Sequence, residues 1–587
     1  MRIPVVIVLA GTLCSASALL ADSPLRPNPS VEAAAARELA SLSHQLSSPN
    51  KGSETDNTLI GIATSLARLG RLDAALQTVK AIDTLNSDTP FSAPQTRDEV
   101  FRLTVRRQAV LGNLNGAAKL IPEFKTANLR ADSLLALARA YLRRGEVETA
   151  RKILFQVSSL VRGSSAASTY TAYLLCRSGE LAAGKRLFAR AQAEVPQKTN
   201  NPKEPFADWR IDSEREYVKR YLLKVGLVDE WSHFGGTKER FVSVDVLAAL
   251  MAKKRFDLAL ELVRGDGVLW RTSNLVTIAL GLDQRAGDRQ GALDILSEAE
   301  KSFVASSALA SKSDASNSKK AKQYFDVDAM FIGFGYRQLG DETKALKWEK
   351  EATTGLAPDR LASLKIQMSL IPLTFLQILN PLEPLPPSEL AVANAQIESQ
   401  LDLISDNSEG VGILRWLVDA QLKTKDYEAV RKNLPTFERF ALAQLKGAKD
   451  LNLFSPALQV ATTWRLVGDE ARAQAVLLAI MEAPDTAKVT RRDRAQTFII
   501  NGFFKEGMDW LSRLPKHKND QTFSPSIAYY EGKYNPNVFP KRILQIKEPQ
   551  QKLAAINDFV KAIEEPIYNS SEEREFVYSQ GYFSTSS

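Results

Sequence analysis

The sequence predicts an all-α protein, an α-solenoid in which helical hairpins stack into a superhelix. Hydrophobic residues make up 44% of the 587 residues and aromatic residues only 8%, so the core is built largely from Ala and Leu, which favour helices over sheets. Apolar residues also recur at helical spacing on both sides of regularly placed glycines. The length exceeds what one compact core supports, which favours an array of repeats.

The first residues are typical of an export signal. Met1 and Arg2 precede an apolar run from Ile3 to Leu13, and Ala16-Ser17-Ala18 supplies the small residues that a signal peptidase accepts. The run is shorter than the roughly 20 apolar residues that span a bilayer, so a cleaved signal peptide over 1–21 is favoured over an uncleaved anchor. We therefore expect an exported protein, periplasmic or secreted, with no transmembrane segment after cleavage.

Cysteine count and charge restrict the function classes only a little. Removal of the signal peptide leaves 2 − 1 = 1 cysteine, Cys176, so no internal disulfide can form and stability must come from packing. Lys and Arg number 76 against 68 Asp and Glu, which gives a formal net charge of +8. Spread over this length, that charge does not indicate a nucleic-acid partner.

Helical hairpins form the repeating unit, and the clearest one runs from Leu134 to Val157. Its first helix has an apolar stripe through Ala138 and Tyr141, Gly145 turns the chain, and a second stripe follows. The pattern returns at Gly179, and 179 − 145 = 34 residues separate the two turns. The other predicted turn residues are Gly70, Gly112, Gly226, Lys254, Gly287, Gly340, Lys425, Gly468 and Gly502.

This pattern resembles that of the tetratricopeptide (TPR) repeat superfamily. In that family small residues sit where the two helices cross, an aromatic residue takes the eleventh place and Gly the fifteenth, and the period is 34 residues. The resemblance covers most of residues 57–514, although no copy carries every consensus position. It implies a TPR-like array in an exported, bacterial-type protein, and the alternative is another α-solenoid or a helical bundle.

Breaks between the hairpins divide the chain. We expect the following order: signal peptide 1–21; polar segment 22–56 with a short helix from Ser30 to Leu46; four hairpins 57–196; linker 197–208; weaker hairpins 209–379 with a mobile loop at 305–322; proline-rich linker 380–388; further hairpins 389–514; a loop and capping helices divided at Pro549, 515–568; and a polar tail 569–587.

Residues that could carry chemistry are sparse. His44, His233 and His517 lie far apart, so no zinc-ligand spacing exists, and no phosphate-binding glycine loop or serine nucleophile motif is present. We expect no metal, no cofactor and no catalytic residue. Carboxylate pairs such as Asp402 with Asp406, or Glu564 with Glu565, are interpreted as solvated charge. Because such a pair has no sequence signature, an exported enzyme acting on cell-wall polysaccharide remains the alternative.

The TPR resemblance implies a binding groove. In such arrays the first helices line the concave surface, and their second, fifth, ninth, twelfth and thirteenth residues project into it. Transfer of these places to the first four hairpins gives a groove whose predicted site residues are Arg68, Arg102, Arg106, Arg139, Arg143, Tyr173 and Arg177, with Asn57, Thr64 and Cys176 beside them.

Six arginines on one surface would suit an acidic or carboxylate-terminated protein or peptide, because arginine binds carboxylates through paired hydrogen bonds and stays charged. The resemblance thus implies a protein–protein interaction scaffold. The competing interpretation is that these arginines are ordinary solvated helix surface. Later hairpins have a mixed set that includes Arg285, Arg337, Arg415 and Arg465.

Overall fold

A computed structural model describes residues 28–46, 53–82, 93–161, 164–195, 205–235, 244–265, 271–311, 315–358, 360–366, 369, 387–400, 403, 408–423, 425–445, 454–485, 489–514 and 520–564. Within these ranges the chain forms helices joined by turns and contains no extended strand, which confirms the all-α fold class. The expected signal peptide, most of the two expected linkers and the polar tail lie outside the described residues.

The helices follow one another in pairs. Those before residue 255 are α1 Pro29–Leu46, α2 Ser53–Arg68, α3 Leu72–Lys80, α4 Ala93–Leu111, α5 Leu114–Leu120, α6 Ala127–Arg143, α7 Val147–Leu160, α8 Ser165–Arg177, α9 Leu181–Glu194, α10 Pro205–Lys224, α11 Val228–His233 and α12 Val244–Ala252. They continue with α13 Phe256–Arg264, α14 Arg271–Ala286, α15 Arg289–Ser311, α16 Ala315–Gln338, α17 Glu342–Thr353, α18 Pro387–Glu398, α19 Ser408–Lys423, α20 Tyr427–Leu445, α21 Ser455–Leu466, α22 Glu470–Glu482, α23 Arg491–Ile500, α24 Phe504–Arg513, α25 Asp520–Tyr534, α26 Lys541–Gln545 and α27 Pro549–Glu564.

The chain divides into two compact units. The terminal unit combines residues 20–221 with residues 495–587, and the middle unit consists of residues 222–494. Across the described ranges, no helix is both long enough and apolar enough to pass through a membrane.

Every predicted turn residue has a left-handed backbone. The nine predicted turn glycines have positive φ. In the described part of the chain, the only non-glycine residues with positive φ are Lys254 (φ 55°) and Lys425 (φ 60°). At Gly145 the amide donates to the carbonyl of Leu142, and the next amide donates to Tyr141. This is the Schellman ending of a helix, which satisfies carbonyls that have no partner within the helix.

Side chains from adjacent hairpins complete several of these turns. The Arg107 guanidinium donates to the Arg68 carbonyl at 2.6 Å, and Arg151 Nε donates to the Ser178 carbonyl at 2.7 Å. A cation at the carbonyl end of a helix is stabilised by the helix dipole. Equivalent bonds to a turn carbonyl come from Arg144 to Gly112, Arg289 to Leu339, Arg431 to Val467 and the Tyr534 hydroxyl to Ile500.

Small residues let the two helices of a hairpin cross closely. Ala138 and Ala150, which the repeat pattern places at the crossing of α6 and α7, are fully buried. At the crossing of α23 and α24, a Cβ added to Gly507 would lie 2.6 Å from the Ala495 carbonyl oxygen. Larger side chains at these positions would force the backbones apart.

Helix α27 packs against the first hairpin of the terminal unit. Its buried Ile556 and Phe559 share one hydrophobic cluster with Leu39 of α1 and Ile62 of α2. Lys552 also pairs with Glu38 of α1, at 2.7 Å. Helices α26 and α27 occur where the sequence predicts two helices divided at Pro549. Helix α27 covers an apolar surface of the first hairpin.

Within the segment 305–322, expected to be a mobile loop, the described residues 305–311 and 315–322 are helical. Helix α15 extends to Ser311, and α16 begins at Ala315. The expectation rested on a composition that cannot bury an apolar face. Ala and Lys are nevertheless strong helix formers, so such a segment can be helical without contributing to a core.

We predict that Lys254→Gly stabilises the protein by about 0.5–1 kcal/mol. A left-handed conformation costs an L-residue about 1–2 kcal/mol, and the greater freedom of glycine in the unfolded chain offsets part of the gain. Urea unfolding of the whole chain, followed by circular dichroism, measures the effect. The matched control is Lys253→Gly, which should destabilise because Lys253 is not among the positive-φ residues. Equal effects of the two changes would contradict the strained-turn explanation.

Candidate functional site

The predicted site residues all lie on first helices of hairpins in the terminal unit. Arg68 ends α2, α4 carries Arg102 and Arg106, α6 carries Arg139 and Arg143, and α8 carries Tyr173 and Arg177. Their surroundings separate them into a charge cluster, a tyrosine cluster and a set of exposed side chains.

The charge cluster begins on α4. Arg102 donates two hydrogen bonds of 2.6 Å to the Glu99 carboxylate and one of 3.1 Å to Asp132 of α6. Burial disfavours the arginine charge, yet the two carboxylates hold the pKa of Arg102 above its usual value. Burial raises the pKa of the Asp132 carboxyl, whereas Arg102 and Arg106 act in the opposite direction. Carboxylates of the chain itself therefore neutralise the charge of Arg102.

Arg107 joins three helices at the other side of α4. It is 6% exposed, and it forms ion pairs with Glu32 of α1 and with Glu564 of α27, whose Oε1 lies 3.2 Å from Nη1. Burial raises the pKa of Glu564 to about 7 against the opposing charges of Arg68, Arg107 and Arg106. Sequence reasoning missed Arg107, because its partners are remote in sequence.

Formal charges in this charge cluster balance. Four arginines face four carboxyl groups, so the formal sum is 4 − 4 = 0 when all are ionised; the members are Arg68, Arg102, Arg106, Arg107, Glu32, Glu99, Asp132 and Glu564. The carboxylate partner expected for Arg68, Arg102 and Arg106 is thus present within the chain.

The tyrosine cluster connects α8 with α10. The ring of Tyr221 lies 4.9 Å from that of Tyr173, 5.8 Å from that of Tyr170 and 4.8 Å from that of Tyr217, measured between centroids. Arg139 of α6 is 4% exposed, and its guanidinium carbon lies 5.8 Å from the Tyr170 ring centre. Arg139 is therefore part of the packing between hairpins.

Exposed arginines near the turn ends of the first helices α6, α8 and α10 form the third group. Arg143 and Arg177 each stand two residues before a turn glycine, so they occupy equivalent places in consecutive hairpins. The guanidinium carbon of Arg177 lies 5.7 Å from the centre of the half-buried Tyr173 ring. Arg220 of α10 is the third exposed arginine and corresponds to Tyr173, because each precedes its turn glycine by six residues. We call Arg143, Tyr173, Arg177 and Arg220 the Arg–Tyr surface.

Sequence reasoning missed Arg220, although the same register applied to the turn at Gly226 would have found it. Cys176, which the TPR register places beside the predicted groove residues, is half-buried next to Gly184. Of the later arginines, Arg337 pairs with Glu342 at 3.0 Å and also with Glu349. Arg465 pairs with Glu470 at 2.7 Å. Both therefore connect a first helix to the second helix of its own hairpin.

No group of three or more metal-ligating side chains occurs among the residues that the structure describes. His233 contacts the Asp229 carbonyl at 2.6 Å within α11, and His517 lies outside the described residues. Asp402, Asp406 and Glu565 also lie outside them. Glu564, by contrast, is buried against Arg107 and is not the solvated charge that the sequence indicated.

The helical hairpins define a helical-repeat protein of the α-solenoid class with TPR-like turns. No family profile matches the chain, and none of the curated proteins matches it in sequence. Similar solved structures include a pentatricopeptide repeat protein from maize, with 13% identity over 89% of this chain and 84% of that one and a TM-score of 0.27.

Two further solved structures are similar. The APC/C hetero-tetramer Cut9-Hcn1 has 13% identity over 88% of this chain and 89% of the other, with a TM-score of 0.17. A circular tandem repeat protein with a novel repeat topology has 11% identity over 83% and 96%, with a TM-score of 0.13. Similarity at this level indicates nothing about the function of this chain.

We predict that Arg107→Ala lowers the free energy of unfolding by about 3–5 kcal/mol, because it leaves two buried carboxyl groups without their shared cation. Arg97→Ala is the matched control on the same helix. Its ion pair with Glu123 is 34% and 53% exposed, so its loss should cost at most about 1 kcal/mol. Denaturant unfolding of both variants measures the difference, and equal losses would show that the buried charge cluster is not a special source of stability.

Proposed function

We propose that this chain is an exported scaffold that binds an acidic segment of a protein partner at the Arg–Tyr surface, and that it is not an enzyme. One observation carries the proposal: exposed arginines recur at equivalent places of consecutive hairpins beside a half-buried tyrosine. An arginine held on an aromatic ring keeps its charge while less of its freedom is lost on binding.

Neighbouring charges favour a peptide over a nucleic acid. Exposed Glu146 lies three residues after Arg143 and exposed Glu216 four residues before Arg220, so negative charges accompany the positive ones in the sequence. A nucleic acid carries one phosphate per nucleotide and would meet repulsion along this line. Separate carboxylates can instead bind the individual arginines.

The internal charge cluster argues against a hidden carboxylate catalyst. Asp132 is bound by Arg102 and Glu564 by Arg107 within the fold. A general acid must instead present its proton to a substrate. We therefore assign these two groups to stability and place partner binding on the exposed side chains.

Replacement of Arg143 and Arg177 together by Ala should weaken binding of an acidic peptide about tenfold, and at most about thirtyfold. Exposed charge pairs contribute up to about 1 kcal/mol each, and 1.4 kcal/mol corresponds to a factor of ten. The probe is a fluorescein-labelled nonapeptide containing three aspartates, measured by fluorescence anisotropy. Added salt should weaken the same complex.

The matched control for this experiment is Arg186→Ala, which removes an exposed arginine from α9, a second helix of the same array. It should leave the affinity unchanged, and circular dichroism should show all variants equally helical. Undiminished binding by the double variant, or tighter binding of a single-stranded RNA of equal charge, would refute the proposal.

The export part of the proposal is supported by residues 1–21 alone. Protein isolated from its native source should begin at Leu19 or Asp22, as N-terminal sequencing would reveal. Val8→Arg is the control, because a charge in the apolar run should prevent processing and leave Met1 in place. Soluble cytoplasmic protein that retains Met1 in the unchanged chain would contradict export.

A further inference from the structure

We infer that helix α27 is a clasp whose closure over α1 and α2 takes up one proton at Glu564, so that the clasp holds more firmly in weakly acidic than in alkaline solution. The proton comes from solvent and binds a carboxylate oxygen, and no other covalent bond forms or breaks. All the groups involved belong to the terminal unit, and none of them is part of the Arg–Tyr surface.

The clasp is the interface that α27 forms with α1, α2 and α4. The buried side chain of Ile556 belongs to the same hydrophobic cluster as residues of α1 and α2. Near the start of α27, Lys552 pairs with Glu38 of α1 at 2.7 Å. At its end, Glu564 pairs with Arg107 of α4 at 3.2 Å. Opening of the clasp therefore exposes apolar surface and separates two charged contacts.

Glu564 is poorly placed to carry a negative charge. Its side chain is buried, and it is the last residue of α27, where the helix dipole disfavours a carboxylate. Within the described part of the chain, the hydrogen bond that its carboxylate accepts comes from Arg107 Nη1 at 3.2 Å. The same nitrogen donates to the Arg68 carbonyl at 2.6 Å. A long hydrogen bond from a shared donor does little to keep a buried carboxyl group ionised.

Glu32 contacts the same arginine from the opposite kind of helix end. It lies in the first turn of α1, where the helix dipole stabilises a negative charge, and it accepts a hydrogen bond from Arg107 Nη2. One arginine thus serves two carboxyl groups, and the helix dipoles favour the ion pair at Glu32 and the proton at Glu564. Burial accordingly raises the pKa of Glu564 to about 7.

Other charged groups around the clasp modify this balance without reversing it. Three arginines of α2 and α4 lower the pKa of Glu564 by less than burial raises it: Arg68, Arg107 and Arg106. Helices α25 and α26, which pack on α27, contribute Glu531 and Arg542, and these pair with each other at 2.5 Å. On α27 itself, burial raises the pKa of the half-buried Asp558 against the charge of Lys561. Asp558 therefore adds a proton-linked contribution of the same sign.

The pH range of the effect follows from the two states of Glu564. Below its usual pKa of 4.5 the carboxyl group is protonated whether the clasp is closed or open, so closure is most favoured there. Between 4.5 and about 7 the closed state holds a proton that the open state lacks. The equilibrium constant for closure therefore falls by up to about tenfold for each unit that the pH rises in this range. Above it both states are ionised and closure is weakest.

Hydrogen exchange of the α27 amides in the whole folded chain, read by mass spectrometry between about pH 5 and pH 8, measures opening of the clasp. Glu564→Gln imitates the protonated side chain and cannot ionise. Because variant and parent are compared at the same pH, the intrinsic pH dependence of exchange cancels. The variant should protect α27 at least about tenfold more than the parent at about pH 8, and less than about fivefold more at about pH 5.

Glu38→Gln is the matched control, because it removes the other charged contact of the clasp and should reduce the protection of α27 by a similar factor at every pH. Helix α8 lies outside the clasp, so its protection should be the same in Glu564→Gln and in the parent. Weaker protection of α27 in Glu564→Gln at about pH 8 would show that the ionised side chain stabilises closure, which overturns the inference. Equal gains in α27 and α8 would overturn it too, because Glu564 would then act on the whole unit and not on a clasp.

Discussion

The left-handed residue at the end of each first helix is the constraint on which the architecture depends. It reverses the chain within two or three residues, so the second helix packs antiparallel to the first, and carbonyl groups at the turn stay open to side-chain donors. Arginines from neighbouring hairpins, such as Arg107 and Arg151, then donate to those carbonyls. One backbone requirement thereby fixes both the hairpin and a polar contact between hairpins.

The sequence contained enough local information to predict these turns, including the two at Lys254 and Lys425, because the apolar stripes on either side set the register even where glycine is missing. Helix α1 lies where the sequence predicts a short helix from Ser30 to Leu46. Contacts between remote residues were not predictable in this way. Arg107 and Glu564 are 457 residues apart, and periodicity carries no information on which remote carboxyl group a buried arginine meets.

Arginine has three separate roles in the terminal unit. Some arginines bond turn carbonyls, some neutralise carboxyl groups of other helices, and a few are exposed on the Arg–Tyr surface. The repeat pattern assigns Arg102 and Arg143 the same kind of position on a first helix, because it specifies only where a side chain is attached. Whether Arg102 or Arg143 faces solvent depends on the acidic residues within reach, and Asp132 makes that difference for Arg102.

The position of α27 has a consequence for the order in which the chain can fold. The first hairpin completes its hydrophobic cluster with residues that begin 549 − 68 = 481 positions after α2 ends. At about 5–20 residues per second, a ribosome needs roughly half a minute to a minute and a half to synthesise that stretch. Throughout this interval the apolar face that α27 will cover is exposed, so a newly made chain depends on delayed folding or on a holding chaperone.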